Sequence, residues 1–123
     1  MLDDKRVILI RPEDRAEGQM TPGMRREQAV TTDRSWAGYV TTEAGMVSGW
    51  HHHGDYESHI GALWMESGLG GRDVVDAQPG DFVFVPPHTV HREGNPTSTD
   101  STVIVVRAGS GQAVFNVDGL DET

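Results

Sequence analysis

The sequence predicts an all-β domain, a barrel or a sandwich. Two observations carry that expectation. Fifteen glycines and six prolines cut the chain into short pieces, and several of these pieces are rich in Val, Ile, Phe and Trp at strand length, with no long helical period between them. Strands are expected at residues 6–11, 35–42, 47–53, within 58–66, and at 73–77, 81–85, 101–107 and 112–118, a count that suits closed or double-sheet β architectures.

Taken in order, the run Val7-Ile8-Leu9-Ile10 marks the first strand. Residues 12–28 alternate poorly and carry three of the ten basic residues, so they read as an arm or long loop able to pack on a partner subunit. Within it, Arg25-Arg26 reads as a solvated charge pair, since exposed charges contribute little; holding a carboxylate is the other reading. Phe82-Val83-Phe84-Val85 is apolar on both parities, which predicts a strand covered on both faces, by the core and by another layer or subunit. Pro86-Pro87 ends it, because neither residue donates to a ladder, and the next residues are placed at a rim. Residues 95–102 are loop-like and 119–123 form a tail. The expected organisation is one domain over 1–123: an N-terminal strand and arm (1–30), a barrel (31–118) and the tail.

Composition narrows the function. The 123 residues suit one domain of about 100–150. The formal charge of −9, from 10 basic and 19 acidic residues, repels phosphate backbones and argues against nucleic acid. No apolar run approaches the ~20 residues needed to cross a bilayer, and no basic start precedes an apolar stretch, so a cytoplasmic protein without membrane contact is expected. With no cysteine, any metal must be held by histidine, carboxylate or amide oxygen.

Five of the six histidines fall in two groups, His51-His52-His53 and His88 with His91, and His59 follows the first. On a strand His51 and His53 share a parity with Asp55, Glu57 and His59, while Trp50, His52 and Tyr56 take the other. If the proline rim brings His91 over the same face, three imidazoles and a carboxylate surround a point, a donor set suited to Fe2+, Mn2+, Ni2+ or Zn2+ with open positions left on an octahedral ion. Asp55 competes with Glu57 for the carboxylate position. Adjacent histidines are equally compatible with a solvated patch or hydrogen-bonded structural residues.

The segment Gly45-x5-His51-x-His53-x3-Glu57 resembles the first motif of the cupin superfamily. The second motif, G-x5-P-x-G-x2-H-x3-N, is similar to the run from Gly80 through Pro86, His88 and His91 to Asn95, with His88 at a glycine position. The resemblance implies a cupin-type jelly-roll β-barrel of the small single-domain kind, usually a homodimer, with a divalent metal held by His51, His53, Glu57 and His91. If the His88 backbone needs positive φ, histidine is strained there; a rim-loop role is preferred over a ligand role. The spacing after Glu57 is three residues short of the family's, because Gly61 follows directly on Ser58-His59-Ile60. A shortened hairpin around Gly61 is expected; the other solution is one strand over 58–66 with its turn at Gly68-Leu69-Gly70-Gly71.

The function so implied is a metal-dependent enzyme on a small-molecule substrate, a non-haem iron dioxygenase-like oxidoreductase with Fe2+ first among the metals, and with His59 or Tyr56 as proton-transfer groups. An isomerase or lyase using the metal as Lewis acid shares that ligand set, as does a non-catalytic binding cupin. His52 is expected to point away from the metal.

Overall fold

The computed structural model describes residues 6–60, 64–67, 73–78 and 80–119, and within these ranges the side chains of 57–60, 64–67 and 73 lie outside the description. Eleven strands, β1 (Ala16–Glu17), β2 (Met24–Thr31), β3 (Ser35–Thr42), β4 (His51–His52), β5 (Glu57–Ile60), β6 (Trp64–Ser67), β7 (Asp73–Asp76), β8 (Val83–Val85), β9 (His91–Gly94), β10 (Ser101–Ala108) and β11 (Phe115–Asn116), form two antiparallel sheets. One has the order β1-β2-β3-β10-β5-β8 and the other β11-β4-β9-β6-β7. The chain passes repeatedly between the sheets from β3 onward, which is the connectivity of a jelly roll. Among the described residues no helix is long and apolar enough to cross a membrane.

The inner face of the six-stranded sheet follows the two-residue period. Along β3 every second residue, from Trp36 to Thr42, is buried, and on β10 Val105 and Arg107 point inward while Ile104 and Val106 stay exposed. Met24, Trp36, Val40, Tyr56, Val83, Val85 and Val105 form the apolar cluster. The opposing wall carries His51, His91 and Glu93 inward, all but fully buried. The first wall is therefore mostly apolar, interrupted by the buried Arg26 and Arg107, and the other is polar. Asn95, the last residue of the second motif, ties the walls together: its Nδ2 donates to Thr42 O at 3.1 Å and Thr99 O at 2.7 Å.

The structure corrects four expectations. Residues 6–11 form no strand: Val7 and Leu9 are exposed, and an apolar run becomes a strand only with a hydrogen-bonded neighbour. The stretch expected as an arm contains β1 and the start of β2, and Arg26 is 3% exposed instead of solvated; a cation at an inward position hides the alternation. Arg25 does face solvent, beside Asp100 at 3.4 Å. Phe82 and Phe84 are 87% and 55% exposed, so among the described residues no full second layer covers the outer side of β8. Residues 61–63, at the shortened spacing around Gly61, lie outside the described residues, but the strands on either side, β5 and β6, belong to different sheets and do not pair with each other as a hairpin. The hairpin partner of β6 is β7, with Ser67 opposite Asp73. The turn between them, at residues 68–72, lies outside the described residues.

Candidate metal centre

Three strand positions and one loop position build the centre. His51 on β4 is directly opposite His91 on β9, so both side chains take the same face of the sheet. His53 lies one alternation beyond His51, just past the end of β4, and Glu93 one alternation beyond His91. The three imidazole rings pack with centroids 4.4, 5.2 and 5.0 Å apart. One ligand nitrogen from each lies within 4.8 Å of the others.

Each ring is aimed by a backbone carbonyl. Nδ1 of His51 lies 2.9 Å from Gly49 O, Nδ1 of His53 2.8 Å from Ala113 O, and Nδ1 of His91 2.8 Å from Thr89 O. A carbonyl oxygen only accepts, so in each neutral ring Nδ1 carries the proton and Nε2 presents a lone pair, as in metal-ligating imidazoles oriented from behind. All three Nε2 atoms are buried without a hydrogen-bond partner.

Glu93 completes the set. Its Oε2 is 3.3 Å from His51 Nε2 and its Oε1 3.2 Å from His91 Nε2. Burial disfavours its charge, but the attraction of His51 and His91 outweighs this and holds the carboxyl well below its ordinary range. Burial, only partly offset by Glu93, lowers the His51 pKa, and burial with the nearby Arg107 cation puts that of His53 well below 6.5. Where the rings are protonated the attraction to Glu93 operates; with the neutral rings that the carbonyls orient, the ionised carboxylate faces imidazole lone pairs, and acceptors meet acceptors. A cation between them resolves the conflict: ligand atoms bound about 2.0–2.2 Å from one ion lie about 2.8–3.6 Å apart, from right-angle to tetrahedral arrangements, and the 3.3 and 3.2 Å between Glu93 and the two imidazoles fall within that range. The residues fit a divalent metal.

Of the residues singled out in the sequence, His51, His53 and His91 are brought together. The side chains of Glu57 and His59 lie outside the description; their backbones on β5 are opposite Ala108 and Val106, both exposed. Tyr56 is buried in the apolar cluster. His52 stands apart, its ring stacked on Phe115 at 4.9 Å. Asp55 and His88 pair at 2.7 Å on the exposed rim, and His88 has φ 58°, the left-handed conformation that explains a glycine at this motif position. Sequence reasoning does not reach Glu93, although His91-x-Glu93 repeats the step of His51-x-His53.

A cavity of about 180 Å3 is lined by Arg26, Trp36, Tyr56, Arg107, Gln112 and Ala113 among others. Ala113 belongs to both sites, since its carbonyl holds His53.

No family model matches the sequence, and no curated protein matches it. Solved structures do match. KdgF from Halomonas sp. is 20% identical over 86% of this chain and 96% of its own, with a TM-score of 0.65. The polyketide cyclase RemF from Streptomyces resistomycificus is 19% identical over 94% of this chain and 92% of its own, at 0.65. A cupin-2 domain protein from Rhodospirillum rubrum is 14% identical over 95% of this chain and 84% of its own, at 0.68. The chain has the cupin fold, an all-β jelly-roll barrel.

Proposed function

We propose that this cupin-fold chain is a metal-dependent enzyme acting on a small organic molecule inside the barrel. The observation that carries the reading is the convergence of three carbonyl-oriented Nε2 lone pairs and the Glu93 carboxylate on one buried point. Such an N/O set leaves positions open on an octahedral ion and suits Fe2+ first, with Mn2+, Ni2+ or Zn2+ compatible. Bound there, iron would supply substrate and dioxygen activation, and any of the four would polarise a substrate oxygen. Under this reading Tyr56 and His59 are the candidate proton carriers, and Glu57 a further candidate oxygen ligand.

Lewis-acid chemistry without oxygen, as in an isomerase or lyase, is favoured by a separate observation. Two guanidinium groups, Arg26 and Arg107, are buried in the barrel, where fixed positive charge stabilises negative charge developing on a substrate oxygen. The exposed apolar residues Phe82, Ile104 and Val106 support a homodimer through the outer face of the six-stranded sheet, and the cysteine-free sequence supports a cytoplasmic setting.

Elemental analysis of untreated protein, followed by oxygen-uptake and product screens with each metal restored, tests the reading. Stoichiometric metal with Fe2+-dependent oxygen uptake is expected for the oxygenase. Turnover with equal rates in the absence of oxygen selects the Lewis-acid enzyme, and tight ligand binding without product selects a binding module. Protein that neither retains nor rebinds a metal contradicts the reading altogether.

A further inference from the structure

Among the described residues the buried charges of the barrel do not balance. Apart from the histidines, the buried ionisable side chains with a charge at neutral pH among the described residues are Arg26, Arg107 and Glu93, two cations against one anion. Burial brings the Arg26 pKa down to about 10 and that of Arg107 down to about 9, so both remain charged at neutral pH. Glu93 offsets one charge, but it turns its oxygens toward His51 and His91, and a metal there would claim it. Unpaired buried charge is strongly unfavourable unless something compensates it.

The two cations keep their hydrogen-bonding capacity in reserve. Arg26 spends Nη1 on Gln19 O at 3.1 Å and Thr21 Oγ1 at 2.7 Å, which fixes the group while Nε and Nη2 stay buried without partners. Those two N–H groups lie along one edge of the guanidinium, the fork that grips a carboxylate through two parallel hydrogen bonds. Arg107 lies with its face 4.3 Å over the Trp36 ring, and its Nε and Nη1 are likewise buried and unpartnered. Both side chains line the cavity of about 180 Å3, which shares Ala113 with His53. An engineered cavity of ~150 Å3 takes a benzene ring, so this one admits a small organic anion.

We propose that this cavity, which shares Ala113 with the metal centre, is a carboxylate-binding pocket in which Arg26 and Arg107 anchor a small organic acid, the substrate class of the enzyme proposed above. This deepens that reading and rests on it for the word substrate, but not for the binding itself, which the protein's own guanidiniums perform. Arg26 supplies the two-pronged grip. Arg107 supplies the second charge, and Trp36 and Tyr56 in the pocket wall face the rest of the acid.

The experiment titrates the whole protein with acetate, malonate and benzoate, with the neutral malonamide and inorganic phosphate as comparisons. It reads thermal shift and the fluorescence of Trp36, judged against Trp36→Phe, and measures metal content in parallel. Saturable binding of at least one carboxylate is expected, with malonamide inert and phosphate weaker. Arg107→Met is expected to melt at or above the wild-type temperature, because an apolar replacement of an unpaired buried charge is neutral or stabilising. It should bind the acid about 10- to 100-fold more weakly, as loss of a charge-assisted hydrogen bond implies, and keep its metal. Arg26→Lys, which retains charge but not the fork, should weaken binding with metal content unchanged. The proposal is overturned if no carboxylate binds saturably, if malonamide or phosphate binds as well as the acids, if Arg107→Met binds the acid like wild type, or if that variant melts well below it and so marks a structural role. Loss of metal from wild type with acid binding intact would sink the enzyme reading instead.

Discussion

Replacing Glu93 by glutamine separates a metal ligand from a structural ion pair, because the change keeps shape and removes only charge. In wild type the carboxylate oxygens sit 3.3 and 3.2 Å from two imidazole nitrogens that the backbone carbonyls force to be acceptors. The amide of Glu93→Gln brings donors, so without metal one acceptor conflict becomes a hydrogen bond contributing about 0.5–1.5 kcal/mol. For a domain of this size that is a rise in melting temperature of about 2–8 °C. With metal the order reverses. At a concentration 100 times its Kd, metal adds about 2.7 kcal/mol to wild type, a rise of about 10 °C. Losing a charged oxygen weakens metal binding by about 100-fold, the upper end for groups that only orient ligands; at the same metal concentration the variant then gains about 0.4 kcal/mol, or about 1–2 °C. Calorimetry of both proteins with and without metal measures all four melting points. A metal-free variant that melts far below wild type, together with an undiminished metal shift, refutes the reasoning and makes Glu93 a salt-bridge partner.

His53→Ala and His91→Ala are expected to abolish stoichiometric metal, whereas His52→Ala, whose native ring stacks on Phe115, should retain it; equal losses by elemental analysis contradict the face assignment. The metal-free protein should lose stability on acidification. His51 and His53 have folded pKa values below 6.5, so the unfolded chain binds more protons over that interval and stability rises with pH there. The loss begins as pH falls below about 6.5 and is complete only below the depressed folded values; denaturant melts at pH 7.5 and 5 that agree (about a fivefold or smaller difference in folding constant) rule this out. At the rim, His88→Gly should exceed His88→Ala in stability by about 1 kcal/mol, since φ 58° strains alanine and not glycine. Equal melts of these two variants would show that the position carries no strain.

One feature of the barrel accounts both for the elements legible in the sequence and for those hidden in it. Strands whose inward positions are apolar announce themselves: β3 runs half-buried and buried in strict alternation and its bounds are legible directly, and those of β10 closely so. β2 puts Arg26 inward, and a cation there makes the strand look like a solvated loop. The same disguise covers the pocket, since Arg26 and Arg107 become visible as a pair only when β2 and β10 flank β3. The His51-x-His53 step is legible because histidine is rare and the alternation puts both on one face. Glu93 is not, because glutamate on a strand usually faces water, and only its position two residues from His91 on a buried strand says otherwise. The apolar run at residues 6–11 misleads in the opposite sense: apolar character is a property of side chains, and a strand also needs a neighbour to bond.

The most direct test is anomalous diffraction from crystals of untreated protein, collected on either side of the absorption edge of whichever metal elemental analysis finds. A single peak about 2.0–2.3 Å from Nε2 of His51, His53 and His91 and from a Glu93 oxygen is predicted. Maps with no peak inside the barrel, or with the ion at the exposed Asp55 and His88 pair instead, contradict it.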